Sequence, residues 1–330
     1  MNKLSKEELI NILGKSDTYV SGQELCEKFG VSRTAVWKAI KQLEKEGYLI
    51  DGVSNKGYRL LANDEMMSAT EINRNMETLV MGRNLEFLPE TDSTNLVIKR
   101  LAEKGAPEGT LAVADMQTAG RGRRGRSWAS PSGQSIYMSF LLRPDCMPDR
   151  ASAITLVCAL AVVEACQEIG LKDAGIKWPN DIVSNGKKVC GILTEMSAEL
   201  EGINYVVPGI GINVNQEGFE GDYAQHATSL YMELGHKVNR SKLIARVMYY
   251  FEENYNEFIK TYDLSLLVDK YNKYLVNCGK EVRVLDPKGE FTGFAIGINQ
   301  DGELLVKLEN DTVVTIYAGE VSVRGIYGYV

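Results

Sequence analysis

Between Gly120 and Trp128 the chain places four arginines and three glycines in nine residues. No core can hold that stretch, because every guanidinium stays charged, and no regular element holds it, because glycine leaves the backbone free to turn. It must be a surface loop, and the apolar segments on both sides require a folded scaffold to carry it. Glycines without Cβ let backbone N–H groups approach a ligand, while each guanidinium offers a planar fork of donors for phosphate or carboxylate. The charges repel one another, so such a loop is expected to order when an anion neutralises it. A small-anion site is the leading reading. The alternative, an arginine-rich tail for nucleic acid, belongs in a terminal or low-complexity segment.

The chain has 330 residues, enough for two or three domains with real cores, and its 44% hydrophobic and 25% charged residues are ordinary for a globular protein. A net charge of −7 argues against a protein that coats nucleic acid non-specifically. Residues 1–62 depart from that balance, with ten Lys plus Arg against eight Asp plus Glu. The six cysteines (Cys26, Cys146, Cys158, Cys166, Cys190, Cys278) form no C-x-x-C pair and mostly stand in apolar stretches, as reduced buried thiols of a cytoplasmic protein do. The N-terminus lacks a signal-peptide pattern, and the most apolar run, Ile154 to Val163, is too short to span a bilayer. Only His226 and His236 are present, which argues against a histidine-based metal site or triad.

Leu4, Leu9, Ile12 and Leu13 fall on one helical face, and Ser21-Gly22-Gln23-Glu24 has the capping-box form that starts a second helix. Phe29-Gly30-Val31-Ser32 ends that helix on glycine and begins the next on serine. The spacing predicts a third helix over 33–46, with Val36, Ile40 and Leu43 inward and Arg33, Thr34, Trp37, Lys38 and Lys41 outward. Strands are expected at 48–50 and 58–61, with a hairpin tip over 51–57. Three helices and a hairpin make a winged helix-turn-helix, whose third helix enters the DNA major groove while the wing tip lies over the backbone. Candidate DNA-binding residues are Ser21, Ser32, Arg33, Thr34, Trp37, Lys38, Lys41, Asn55 and Lys56. The competing reading is a winged helix for protein contacts. One small module binds DNA weakly and salt-sensitively, so a symmetric dimer is expected.

Residues 63–75 read as a polar linker. Beyond it Phe87-Leu88 is strand-like and leads through Glu90–Asn95 to a helix over 96–104, so Ser93 and Thr94 stand at a helix N-terminus, either as caps or facing a ligand. Leu111–Ala114 reads as a buried strand ending at Gln117, Ser135–Leu142 as another strand and Ile154–Gly170 as an amphipathic to buried helix. Ile176–Val183 reads as a short strand interrupted by Pro179, which controls where Lys177, Asn180 and Asp181 point. Lysine suits a polyphosphate, and Asn and Asp oxygens suit Mg²⁺; alone, Asn-Asp is only a turn signal. Asn185-Gly186 is a hairpin turn, Lys187–Leu193 a returning strand, and Val206–Val214 a strand whose glycines admit a close backbone or flat ligand.

Taken together, Gly120–Trp128, Lys177-Trp-Pro-Asn-Asp181, Lys188-Val-Cys-Gly-Ile-Leu193 and Gly209-Ile-Gly-Ile-Asn213 resemble the biotin–protein ligases, and with the winged helix in front the chain resembles the bifunctional biotin ligase and biotin-operon repressor family. The tail from Gly279, with strands expected around Val282–Leu285, Phe291–Ile298, Leu304–Leu308, Val313–Tyr317 and Val321–Arg324, resembles that family's SH3-like barrel. The resemblance implies an α/β multidomain chain: a winged helix-turn-helix over 1–62, a linker over 63–75, an α+β catalytic domain of the class II aminoacyl-tRNA synthetase/biotin ligase type over 76–275, and an SH3-like β-barrel over 276–330.

It further implies a reaction in which biotin and ATP form biotinyl-5′-AMP, followed by transfer to a lysine of the biotin carboxyl carrier protein. Arg121, Arg123 and Lys188 would be catalytic; Ser93, Thr94, Asn95, Gln117, Gly120, Arg121, Gly122, Arg123, Lys188 and Gly209 would bind biotin. Arg123, Arg124, Arg126, Trp128, Lys177, Asn180 and Asn213 would meet ATP, and Asp181 would help hold Mg²⁺. The segment 215–231, which in the family helps cover adenine, has no Trp here, leaving Phe219 or Tyr223 as aromatic candidates. Operator DNA and a homodimer formed with biotinyl-5′-AMP are the implied partners. The competing readings are a lipoate or octanoate ligase on the same fold and a biotin sensor acting only on transcription.

Overall fold

A computed structural model of the chain describes residues 5–16, 18–45, 47–61, 67–199, 202–221, 224–286, 289–317 and 322–325. Leu4, Tyr223 and Val321 lie outside them.

The first unit holds helices α1 (Lys6–Lys15), α2 (Gly22–Phe29) and α3 (Arg33–Lys45) and strands β1 (Ile50–Val53) and β2 (Gly57–Leu60). Ser5 and Ser21 each cap a helix, accepting the N–H of Glu8 and Glu24, and Gly30 ends α2 in the left-handed region at φ 64°. Leu9, Ile10, Leu13, Leu25, Val36, Ile40 and Leu43 form its core. The wing is shorter at its tip than expected: Asp51–Val53 pair with Gly57–Arg59, leaving 54–56 as the turn. Tyr48 is withdrawn from the expected first strand because its ring is buried in this core and its N–H bonds Leu43 O.

The expected linker over 63–75 is partly helical in its described residues, 67–75. Ser68 caps helix α4 (Ala69–Asn75), and Met67, Ile72 and Met76 join the central core. Next come β3 (Leu85–Thr91), α5 (Thr94–Glu103), β4 (Leu111–Gln117), β5 (Ser135–Phe140), α6 (Ile154–Glu168), β6 (Gly175–Lys177), β7 (Asp181–Ser184), β8 (Lys187–Glu199) and β9 (Gly202–Asn213). They build one seven-stranded sheet of order β3-β4-β5-β9-β8-β7-β6, antiparallel except for the β3–β4 pair. Residues 176–183 form a tight hairpin rather than one interrupted strand, with Lys177 opposite Asp181, because Pro179 has no N–H for the ladder and the chain turns there. Asn185 and Gly186 turn β7 into β8 with φ of 48° and 75°, as their residue types require.

Helix α5 packs on one face of the sheet through Val97, Ile98 and Ala102. The other face is covered by α6 and by α8 (Arg240–Thr261), which follows α7 (Leu230–Leu234) and precedes α9 (Val268–Tyr274). Helix α6 is apolar on all sides because neighbours surround it. With the turn before it, Arg150–Glu168 spans 19 residues, longer than the apolar run alone suggests and sufficient by length to cross a bilayer; its most apolar stretch has a mean hydropathy of 1.5, and 72% of that stretch is buried, as in a core helix. Glu252 of α8 accepts the backbone N–H groups of Leu79, Val80 and Met81 at 2.7, 2.7 and 2.8 Å, anchoring the chain that enters β3.

The last unit is a five-stranded antiparallel sheet of β10 (Glu281–Asp286), β11 (Gly289–Ile298), β12 (Leu304–Lys307), β13 (Val313–Ile316) and β14 (Ser322–Gly325), in the order β13-β12-β11-β10-β14. Its inward residues Val282, Val284, Ala295, Leu304 and Val306 belong to the same core as α6 and α8. Trp178 links the two units by donating its indole N–H to Gly302 O at 3.0 Å.

Candidate active site

The arginine loop is a closed hairpin. Gly122 N–H donates to Arg126 O at 2.7 Å and Trp128 N–H to Gly120 O at 2.9 Å, with Arg124 at φ 56° and Gly125 at φ 71° carrying the reversal. A Cβ on Gly120 would stand 2.5 Å from Trp128 O, so the closure needs glycine there. The hairpin folds over a cleft of about 480 Å³, mouth included, lined among others by Ser93, Thr94, Asn95, Gln117, Arg121, Gly122, Arg123, Trp128, Asn180, Lys188 and Gly209. Segments separated by more than a hundred residues thus share one cavity, and the two cationic clusters converge.

At one end the contacts are charged. Arg123 Nη1 donates to Asn180 Oδ1 at 2.8 Å, Asn180 Nδ2 donates to Asp181 Oδ1 at 3.1 Å, and Lys188 Nζ pairs with that same oxygen at 2.6 Å. Burial pulls the Arg123 guanidinium below its ordinary value while the Asp181 charge opposes the shift; a guanidinium remains cationic regardless. Lys188 Nζ also lies 5.2 Å from the centre of the Trp128 ring. The indole rests on a floor made by Gly191 and Gly211, which face each other across β8 and β9. A Cβ on either would stand 2.9 or 2.7 Å from the ring.

The other end is neutral. Ser93 occupies the N-cap position of α5 yet its side chain makes no capping bond, which favours the ligand-facing reading of that hydroxyl. Gln117 Oε1 accepts from Thr94 N at 2.9 Å and its Nε2 donates to Ser130 Oγ at 3.0 Å. Asn95 lies against Gly209, where a Cβ would stand 2.0 Å from Asn95 Oδ1. Tyr137, Ile192, Leu193, Ile210, Gly191 and Gly211 also belong to the lining; of these only Gly211 was expected from the sequence to admit a flat ligand, and Tyr137 was not expected at all. Glycines at 191 and 211 in adjacent strand segments were the signal for a flat ligand-side surface; Tyr137 carries no motif. Its hydroxyl donates to Pro131 O at 3.0 Å, and burial pushes its pKa up to about 12.

Other expected residues stand away from the lining. Arg124 and Arg126 are exposed on the hairpin, and Lys177 is buried on β6. Asn213 Nδ2 donates to Thr228 O at 3.1 Å, tying β9 to the following loop, and Phe219 is half-buried outside the cleft. Asp181 is a single carboxylate engaged with Lys188, and among the described residues no three His, Cys, Asp or Glu side chains gather to hold a metal. One carboxylate suits only an Mg²⁺ that arrives on substrate phosphates.

On the winged helix, Thr34, Trp37, Lys38 and Lys41 are exposed along α3, with Trp37 at 50%. Lys41 pairs with Glu44 at 2.6 Å, and Arg33 donates to Gln23 Oε1 at 3.0 Å, bracing α3 on α2. Ser21 and Ser32 act as helix caps, Ser32 Oγ accepting the Ala35 N–H at 3.3 Å. Asn55 and Lys56 form the wing tip, and Lys56 Nζ lies 5.8 Å from the Tyr19 ring centre.

Residues 87–213 match the biotin/lipoate A/B protein ligase family, 6–59 an HTH domain and 278–324 the biotin protein ligase C terminal domain. The bifunctional ligase/repressor BirA of Bacillus subtilis (strain 168) is 39% identical over 324 residues, covering 97% of this chain and 99% of that protein. Its counterpart in Escherichia coli (strain K12) is 30% identical, with 96% of each chain covered. The structure of biotin protein ligase from Aquifex aeolicus in complex with biotin and ATP superposes with a TM-score of 0.65 at 35% identity, covering 74% of this chain and 99% of that one. With this similarity running from the winged helix to the terminal sheet, the chain belongs to the family of bifunctional biotin–protein ligase/repressors.

Proposed function

We propose that this protein is a cytoplasmic biotin–protein ligase that also represses transcription from a biotin operator. The observation that carries the ligase reading is the convergence of Arg121, Arg123, Asn180 and Lys188 on one cleft whose far end offers Ser93, Thr94 and Gln117. Such a cleft suits a ligand with a carboxylate at one end and a neutral hydrogen-bonding head at the other, which is biotin's chemistry.

In the first step a biotin carboxylate oxygen attacks the α-phosphorus of ATP, the bond to the bridging oxygen of the β-phosphate breaks, and pyrophosphate leaves. Both reactants are anions, so the site must screen them without protonating the nucleophile. Lys188 and Arg123 do this, Lys188 beside the biotin carboxylate and Arg121 and Arg123 over the adenylate. Arg124, Arg126, Trp128, Lys177, Asn180 and Asn213 serve the nucleotide, and Gly120 and Gly122 let the loop close. Mg²⁺ accompanies ATP as part of that substrate, with Asp181 as the protein carboxylate that would meet it. In the second step a carrier-protein lysine amine attacks the acyl carbon, the anhydride C–O bond breaks, AMP leaves and the amine gives up a proton. Activation is stored in the anhydride, so positioning and exclusion of water govern this step.

The winged helix supports the second activity. Arg33, Thr34, Trp37, Lys38 and Lys41 on α3 would face the operator major groove, with Asn55 and Lys56 at the wing. Biotinyl-5′-AMP would favour a homodimer, and a dimer grips two half-sites where a monomer grips one. Exchange of labelled pyrophosphate into ATP that depends on biotin, and its abolition by R123A or K188A, is the expected result; exchange indifferent to biotin would overturn the ligase reading. Operator affinity unchanged by biotin plus ATP would overturn the repressor reading.

A further inference from the structure

Resting on the biotin reading above, we infer that Glu195 is a positioning residue that sets the direction of a buried hydrogen-bond chain. It thereby makes the Thr94 hydroxyl an acceptor toward the ligand, selecting a ureido N–H over an oxygen. The chain begins outside the cleft. Asn95 Nδ2 lies 2.8 Å from Glu195 Oε2 and 3.3 Å from the Leu193 carbonyl, two groups that only accept, so the amide orientation follows from chemistry. Lys99 Nζ holds the other oxygen, Glu195 Oε1, at 2.6 Å. Burial works against the charge on Glu195, but the bonds from Lys99 and Asn95 outweigh it and keep its carboxyl below the usual carboxylate range.

With Nδ2 committed, Asn95 presents Oδ1 to Ser139 Oγ at 2.6 Å. A hydroxyl has one proton, and Ser139 must spend it there. The next contact, Thr94 Oγ1 to Ser139 Oγ at 2.7 Å, therefore runs from Thr94 to Ser139. The longer 3.2 Å approach of Thr94 Oγ1 to Gln117 Oε1 does not change this: the 2.7 Å contact needs a proton between the two hydroxyls, Ser139 has none left, and a Thr94 proton turned to either acceptor is spent within the protein. Thr94 is left with lone pairs only for whatever enters the cleft it lines. An N–H is bound; a ring oxygen in its place meets lone pair with lone pair. A site built for one polarity rejects the other strongly, since its buried group would go unpaired.

The test compares full-length wild type, E195Q and S139A in pyrophosphate exchange with biotin and with two cyclic carbamate analogues, each replacing one ureido N–H by oxygen. Wild-type exchange with biotin checks the underlying functional reading, and without it both readings fall. Given that activity, wild type should discriminate against at least one carbamate by about a hundredfold in kcat/KM. A glutamine at 195 can donate, so Asn95 can turn over and the chain can reverse; S139A removes the acceptor that holds the Thr94 proton. Both should cut the discrimination about tenfold or more, through KM rather than kcat, and the accompanying melts show whether each variant is folded. S139A decides the matter should E195Q lose stability. Wild-type discrimination retained in the folded variants, or a wild type that accepts carbamates as well as biotin, would overturn the inference.

Discussion

Placing a single methyl group on the glycine floor tests how tightly the loop is held. A Cβ at Gly211 would stand 2.7 Å from Trp128 Cε2 and Nε1, whereas carbon atoms in ordinary contact sit about 3.5–4 Å apart. G211A must therefore push the indole outward by about 1 Å. Trp128 closes the arginine hairpin through its N–H to Gly120 O and lies beneath Lys188, so the shift reaches both groups that would meet the reacting anions. Misplacing positioning groups by about 1 Å costs on the order of a hundredfold in rate, about 2.7 kcal/mol at the transition state. Stability should suffer less, about 1 kcal/mol, because the indole can move toward solvent rather than into a packed core. G218A is the control, since no atom lies within 4 Å of its added Cβ. Biotin-dependent exchange at varied biotin and ATP, read beside thermal melts, separates the two effects. An exchange rate for G211A within threefold of wild type would refute the argument that the floor positions the loop.

Three further outcomes are expected. E252A strands the N–H groups of Leu79, Val80 and Met81, which should cost about 2–4 kcal/mol and lower Tm by several degrees; an unchanged melt would show that water replaces the carboxylate. Burial raises the thiols of Cys158 and Cys190 well above the ordinary value and pushes Cys166 up to about 12. The reactive thiolate of Cys166 is therefore about one part in ten thousand at pH 8 and grows only as pH rises toward 12. Mass spectrometry after native alkylation at pH 8 should find Cys278, which is exposed, modified and those three intact. K38A should weaken operator binding evenly across sequences and reduce the slope of log affinity against log salt by about one, as loss of one phosphate contact does; loss of preference at one base pair instead would assign Lys38 to base readout.

Local chemistry explains which elements could be read in advance. Ser21 with Glu24, Gly30, and Asn185 with Gly186 act on their immediate neighbours, and each sits at the cap or turn its residue type demands. The alternating strands from Val282 onward likewise carry their burial in their own period. Helix α4 escaped notice because seven mostly polar residues hide one core contact, Ile72, whose partners lie in the central core. Lys177 and Asp181 were placed along one strand, but a ladder that proline cannot join turned the chain and set them face to face.

From the residues alone came the domain order, the winged helix, the arginine-rich segment as a loop and the family to which those motifs point. These rest on short-range effects: caps, turns, side-chain periodicity and permanent charge. Only the tertiary structure decided which cations share a cleft, that Gly191 and Gly211 floor it beneath Trp128, and that Glu195 reaches across 100 residues to orient Asn95. Those contacts join segments whose separation along the chain carries no trace of their meeting. Sheet register and burial place them, and both belong to the folded whole rather than to any stretch of it.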